Sequence, residues 1–165
     1  MLRLALLLWL TLTSLGLAQT TEISEPGGGF AFTIPQGWQT REFPGLKYKV
    51  AYGTPVKGFA PNIVVVDEQF AGSIGEYTAL NLKNIAQVFV DFRNLGQTPF
   101  LTQSGLQGIR LVTQAQQQKS LLRQVFYFLP GKGDKKYVLT FSALLEEGDK
   151  YDSAVDAAIK TFVLR

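Results

Sequence analysis

Two neighbouring stretches, residues 121–129 and 136–145, carry apolar side chains on both faces of an extended chain. In the first, Leu122, Phe126 and Phe128 alternate with Leu121, Val125, Tyr127 and Leu129. In the second, Tyr137, Leu139, Phe141, Ala143 and Leu145 oppose Val138, Thr140, Ser142 and Leu144. An antiparallel sheet with one wet face alternates cleanly between apolar and polar residues. These strands do not, so the centre of their sheet must be covered on both sides. The turn at Pro130-Gly131-Lys132-Gly133-Asp134 is too short for a crossover, which makes the pairing antiparallel. A third strand, 106–116, precedes them across Gln117-Gln118-Lys119-Ser120.

Two amphipathic segments are available as covers. Ser73-Ile74-Gly75-Glu76 has the form of a capping box. Behind it Tyr77, Leu80, Ile85, Val88, Phe89 and Phe92 recur at helical spacing, and Gly96 ends the pattern. The closing segment, 149–162, puts Tyr151, Val155, Ala158, Ile159 and Phe162 on one face, with Asp149 in the N-cap position. Shorter strands are expected at 30–34, 46–52, 62–66 and 99–103. The fold class that follows is α+β, an α/β/α sandwich with a central antiparallel sheet. With 165 residues and no linker or repeat, the chain makes one domain.

The first residues read as an address. Arg3 supplies a positive charge, residues 4–12 are almost unbroken apolar sequence, and Gly16-Leu17-Ala18 places small residues at a cleavage site. That order is a secretory signal peptide, 1–18, leaving a mature domain at 19–165. A membrane span needs roughly 20 apolar residues, and Thr11, Thr13 and Ser14 break this run. The chain has no Cys, so no lipid-modified cysteine can follow the cleavage point. The expected location is periplasmic or extracellular, without a membrane anchor after cleavage.

The chain also has no His. Without His and Cys there is no disulfide, zinc-finger or Fe–S framework, no His-based triad and no Cys nucleophile. Catalysis would have to come from carboxylates, hydroxyls, Lys, Arg or Tyr. Asp67 and Glu68 are adjacent in an extended segment and so point to opposite faces. Asp149, Asp152 and Asp156 suit the positive end of the last helix. Gly27-Gly28-Gly29 precedes a strand and no G-K-[ST] follows it, so it does not cradle phosphate. No cofactor or metal is expected.

The formal net charge is +3, falling to +2 with the leader and its Arg3 removed. That excess is too small to indicate nucleic acid. Basic residues gather between Arg110 and Lys136 and acidic ones between Glu146 and Asp156, read as two solvated surfaces of opposite sign. The longest Gly/Pro-punctuated loop, 53–61, carries Lys57 and Phe59. Loops on a rigid scaffold are where binding residues concentrate, so these two are the candidate binding residues. The competing reading folds Phe59 back onto the sheet edge as a plug.

The run Gly29-Phe30-Ala31-Phe32-Thr33-Ile34-Pro35-Gln36-Gly37-Trp38 resembles the F-x-F-x-x-P-x-G-W opening of the PsbP-like superfamily, which includes PsbP, the DcrB-like proteins and the Mog-type proteins. Asn62-Ile63-Val64-Val65-Val66, Glu76-Tyr77 and Tyr137-Val138-Leu139-Thr140-Phe141 are similar to later segments of that family, in the same order. The resemblance implies the same α/β/α sandwich. It also implies an exported binding or assembly module whose partner is a protein or a small ligand, and not an enzyme. The metal-linked histidines of plant PsbP have no counterpart here. The alternative is a hydrolase or transferase with a carboxylate and Lys site assembled from distant residues. In the opening motif itself Phe30 and Phe32 pack inward, and Trp38 covers the core edge.

Overall fold

In chain order the elements are β1 (Glu22–Glu25), β2 (Phe30–Thr33), β3 (Gln39–Arg41), β4 (Val50–Tyr52), β5 (Asn62–Gln69), α1 (Ile74–Val88), β6 (Val90–Leu101), β7 (Gln107–Gln117), β8 (Ser120–Pro130), β9 (Lys135–Leu144), a 3-10 turn (Leu145–Glu147), α2 (Asp152–Lys160) and β10 (Val163–Leu164). They come from a computed structural model that describes residues 21–165. The segment read as a leader, and the cleavage point after it, lie outside the described residues. A seven-stranded sheet has the order β3-β4-β5-β9-β8-β7-β6, and a three-stranded one the order β1-β2-β10. Every pairing is antiparallel. Among the described residues no helix is long and apolar enough to cross a membrane.

The both-faced strands sit where their composition requires. In β8, Val125, Tyr127 and Leu129 join Leu139, Phe141 and Tyr137 of β9 in the larger core. There they meet Phe30 and Phe32 of β2, Val155 and Ile159 of α2, and Phe162. The opposite face of β8, Phe126 and Phe128, joins Leu111 and Val138 beneath Tyr77 of α1. The α/β/α sandwich is therefore present, with the small sheet sharing one outer layer with α2. Trp38 closes the core edge as expected, packing against Phe141 and Tyr151 with ring centroids 6.3 Å from each.

Two helix boundaries differ from expectation. α1 stops at Val88, and the chain enters β6 at Val90 instead of continuing to Gly96. Val88, Phe89, Val90 and Phe92 are β-branched or aromatic and fit a strand as well as a helix, and pairing with β7 decides the matter. Leu80 and Val88, expected on the apolar face, are at 45% and 75% exposure. The stripe that packs is Ile74, Tyr77, Leu82 and Ile85. The short strand expected at 99–103 is the end of β6. At the other helix, Asp149 is not the N-cap: it lies in the turn 148–151 that follows the 3-10 helix, and Tyr151 precedes α2 without a side-chain cap.

The capping box of α1 is formed as its sequence predicts. Ser73 Oγ accepts from the Glu76 N–H at 3.1 Å, and Glu76 Oε2 accepts from the Ser73 N–H at 2.8 Å. These bonds from Ser73 hold the Glu76 carboxyl below its ordinary range. Losing an N-cap side chain costs about 1 kcal/mol. Ser73→Ala should therefore lower the melting temperature by roughly 2–4 °C, followed by circular dichroism. An unchanged melt would mean that Tyr77 alone fixes where the helix begins.

Candidate functional site

The loop 53–61 is a small hairpin. Val56 and Phe59 exchange backbone hydrogen bonds of 2.8 and 2.9 Å across Lys57-Gly58. Both turn residues have positive φ, 48° and 81°, as in a type I′ turn. Glycine is at home there, and Lys57 is held in the same left-handed region with its side chain directed away from the loop. Lys57 Nζ reaches Glu146 Oε2 at 2.7 Å, with 70% of the lysine side chain exposed. Phe59 is half-buried and belongs to neither hydrophobic core.

This hairpin stands between two concavities that share no lining residue. One, of about 460 Å³, is lined by Lys57, Lys119 and Glu146 around Leu121, Leu144 and Leu145. It brings the 53–61 loop against the β7–β8 turn and the end of β9, a juxtaposition invisible in the sequence. The other, of about 420 Å³, lies over β3, β4 and β5, and Pro55 and Ala60 of the loop form one wall. Arg41, Phe43, Leu46, Val50 and Val64 line the rest, together with Tyr52 and Asn62. No sequence signal singled out Arg41, because β3 is short and exposed and follows the Gly29–Trp38 motif without belonging to it.

The strongest ionic clusters are closed on themselves. Arg110 donates from Nε to Asp156 Oδ1 at 2.9 Å and from Nη2 to Asp152 Oδ2 at 2.6 Å. Arg123 donates to the same Asp152 oxygen at 2.7 Å, and the Tyr127 hydroxyl donates to Asp156. The basic and acidic stretches read as separate solvated surfaces are thus brought together, joining β7 and β8 to α2. Burial works against the Arg110 charge, but Tyr127 and Asp156 outweigh it and hold its pKa above the ordinary value. Burial, followed by Asp156, pushes the Tyr127 hydroxyl up. The signal that could have found this is the i, i+4 spacing of Asp152 and Asp156, which places both on one helix face.

Asp67 and Glu68 do point apart. Asp67, with 6% of its side chain exposed, takes Lys47 at 2.7 Å and Lys135 at 3.3 Å. Its burial would raise the pKa, yet bonds from Lys47, Tyr48 and Lys135 lower it. Glu68, on the other face, accepts from the Tyr77 hydroxyl. Neither arrangement places two carboxyl groups together for acid and base work.

No protein-family model and no curated protein matches the sequence. Solved structures do match. Cyanobacterial PsbP (CyanoP) from Synechocystis sp. PCC 6803 superposes with a TM-score of 0.64 at 13% identity, over 94% of this chain and 98% of that one. LpqN of Mycobacterium tuberculosis, described as involved in cell envelope biogenesis, gives 0.64 at 14% identity, over 88% and 85%. PA94 of Pseudomonas aeruginosa, a protein of unknown function, gives 0.61 at 17% identity, over 82% and 91%. The matches extend over most of both chains in each case, in keeping with the strand order and two helices described above: the chain has the PsbP-like fold.

Proposed function

We propose that the chain is an exported binding or assembly module with no catalytic centre, which meets a protein partner through the Lys57–Phe59 hairpin and the cleft beside it. One observation carries this reading: the hairpin holds a cation at the lip of an apolar-floored cleft, with the half-buried Phe59 ring two residues away in the same turn. Lys57 and Lys119 against the single Glu146 favour a partner surface that is apolar and acidic. The ionic clusters support a non-catalytic role, since Asp67, Asp152 and Asp156 are each engaged by cations that hold the fold together. The apolar run before residue 19 and the absence of Cys support export as a soluble protein.

The test is a photo-crosslinking amino acid placed at position 57 or 59 in the producing cells, with position 87 on the exposed side of α1 as the control. One discrete adduct is expected at 57 and 59 only, on a protein whose N-terminus is Gln19. Lys57→Glu, made together with the probe at 59, should abolish the adduct and leave the melting temperature within about 2 °C, as for an exposed pair. The proposal falls if the hairpin gives no adduct. It falls equally if Phe59→Ser costs several kcal/mol, the scale of a core aromatic, which would make the ring a plug.

A further inference from the structure

A seven-stranded sheet is about 29 Å across at ~4.8 Å per strand gap, whereas one helix with its side chains covers about 10 Å. α1 lies over β6, β7 and β8. The β3–β5 half of that face is left without a helix, although valines of β4 and β5 lie on it. Val66 of β5 is 48% exposed, and Val50 and Val64 form the floor of the 420 Å³ groove. Phe43 and Leu46, 40% and 43% exposed, stand at its rim opposite Pro55. Exposed valines and a phenylalanine grouped around one groove form an apolar floor that a ligand can cover.

The polar groups around the groove define what that ligand carries. The Tyr52 hydroxyl donates to Gln39 Oε1 at 3.0 Å, and the Asn62 amide donates to the Ala60 carbonyl at 2.9 Å. Both are occupied. Arg41 alone is charged among the lining residues, and among the described residues it has no ion pair and no side-chain hydrogen bond. Its guanidinium lies over the Phe43 ring, 5.3 Å from the centroid, a contact that favours a position at the groove mouth and leaves its N–H donors free. One planar cation above an apolar floor matches a single planar anion on an apolar body. A dianionic phosphate would leave charge unanswered there. The volume lies toward the low end for small-molecule sites, which run from about 300 to 1,000 Å³.

We propose that this groove binds a small apolar monocarboxylate. The hydrocarbon lies on Val50 and Val64 between Leu46 and Pro55, and the carboxylate meets Arg41. The site is separate from the Lys57 cleft, and neither proposal depends on the other.

Octanoate and its uncharged counterpart 1-octanol are the probes, titrated at low salt into isotope-labelled protein and followed by amide NMR. Octanoate is expected to shift resonances at residues 41, 50 and 64, and to bind about tenfold or more tighter than octanol, the worth of a charge-assisted hydrogen bond. Arg41→Gln should erase that advantage and leave octanol binding unchanged. Leu46→Glu, at an exposed rim position, should also weaken octanoate by about tenfold or more. Equal affinity for the two probes in the unmodified protein would overturn the proposal. So would shifts centred elsewhere, indifference to Arg41→Gln, or no binding of either probe at millimolar concentration.

Discussion

Phe162→Ala should lower the melting temperature by roughly 10 °C or more, a loss of about 3–5 kcal/mol for a core aromatic. The ring is fully buried and stacks on Phe30 at 5.4 Å, with Tyr137 edge-on at 5.3 Å. It also sits where α2 gives way to β10, which pairs Val163 with Ala31. Truncation empties the point at which the small sheet, the last helix and β9 meet, and little nearby can move to fill it. Thermal denaturation followed by near-UV circular dichroism is the measurement. A loss of only a degree or two would mean that the small sheet is an appendage and no part of the main core.

Asp152→Ala should cost about 3 kcal/mol, toward the low end for a broken buried ion pair. Asp152 accepts from both Arg110 and Arg123, whose side chains are only 16% and 11% exposed. The variant leaves two guanidinium groups largely out of water, with Asp156 the remaining carboxylate beside Arg110. Urea denaturation of Asp152→Ala, Arg123→Ala and the double variant would isolate the coupling. The double variant is expected to be less damaged than the sum of the singles. Strict additivity would show that the Arg123–Asp152 pair adds nothing to the docking of α2.

The central strands were legible to within a residue or so: 106–116, 121–129 and 136–145 are observed as Gln107–Gln117, Ser120–Pro130 and Lys135–Leu144. Their signal is local, since dense apolar composition bounded by turn residues states both the strand and its ends. β1 and β10 were not legible, because both owe their existence to β2 and β10 reaches it from the far end of the chain. Of 46–52, only Val50–Tyr52 pairs as strand, while Leu46 turns outward to the groove rim. The end of α1 was misplaced because Val88, Phe89 and Phe92 satisfy a helical period and a strand alike. Lys57 and Phe59 are singled out by their loop alone, whereas the proposal for Arg41 needs the sheet, which shows the strands that α1 does not cover.

The edge strand β6 has a consequence for the protein at high concentration. It is long, and Val90, Leu95 and Leu101 are all more than half exposed or close to it, at 64%, 50% and 58%. A regular strand of that kind is a template on which further chains can add, one after another, into fibres. Here the ladder to β7 slips twice, between Val90 and Arg93 and between Asn94 and Gly96, and Gly96 takes φ of 151° at the second slip. Pro99 then brings a residue with no N–H to offer a newcomer. An incoming strand finds no straight run long enough to zip along, so the protein can stay dispersed where its own sheet would otherwise seed its precipitation.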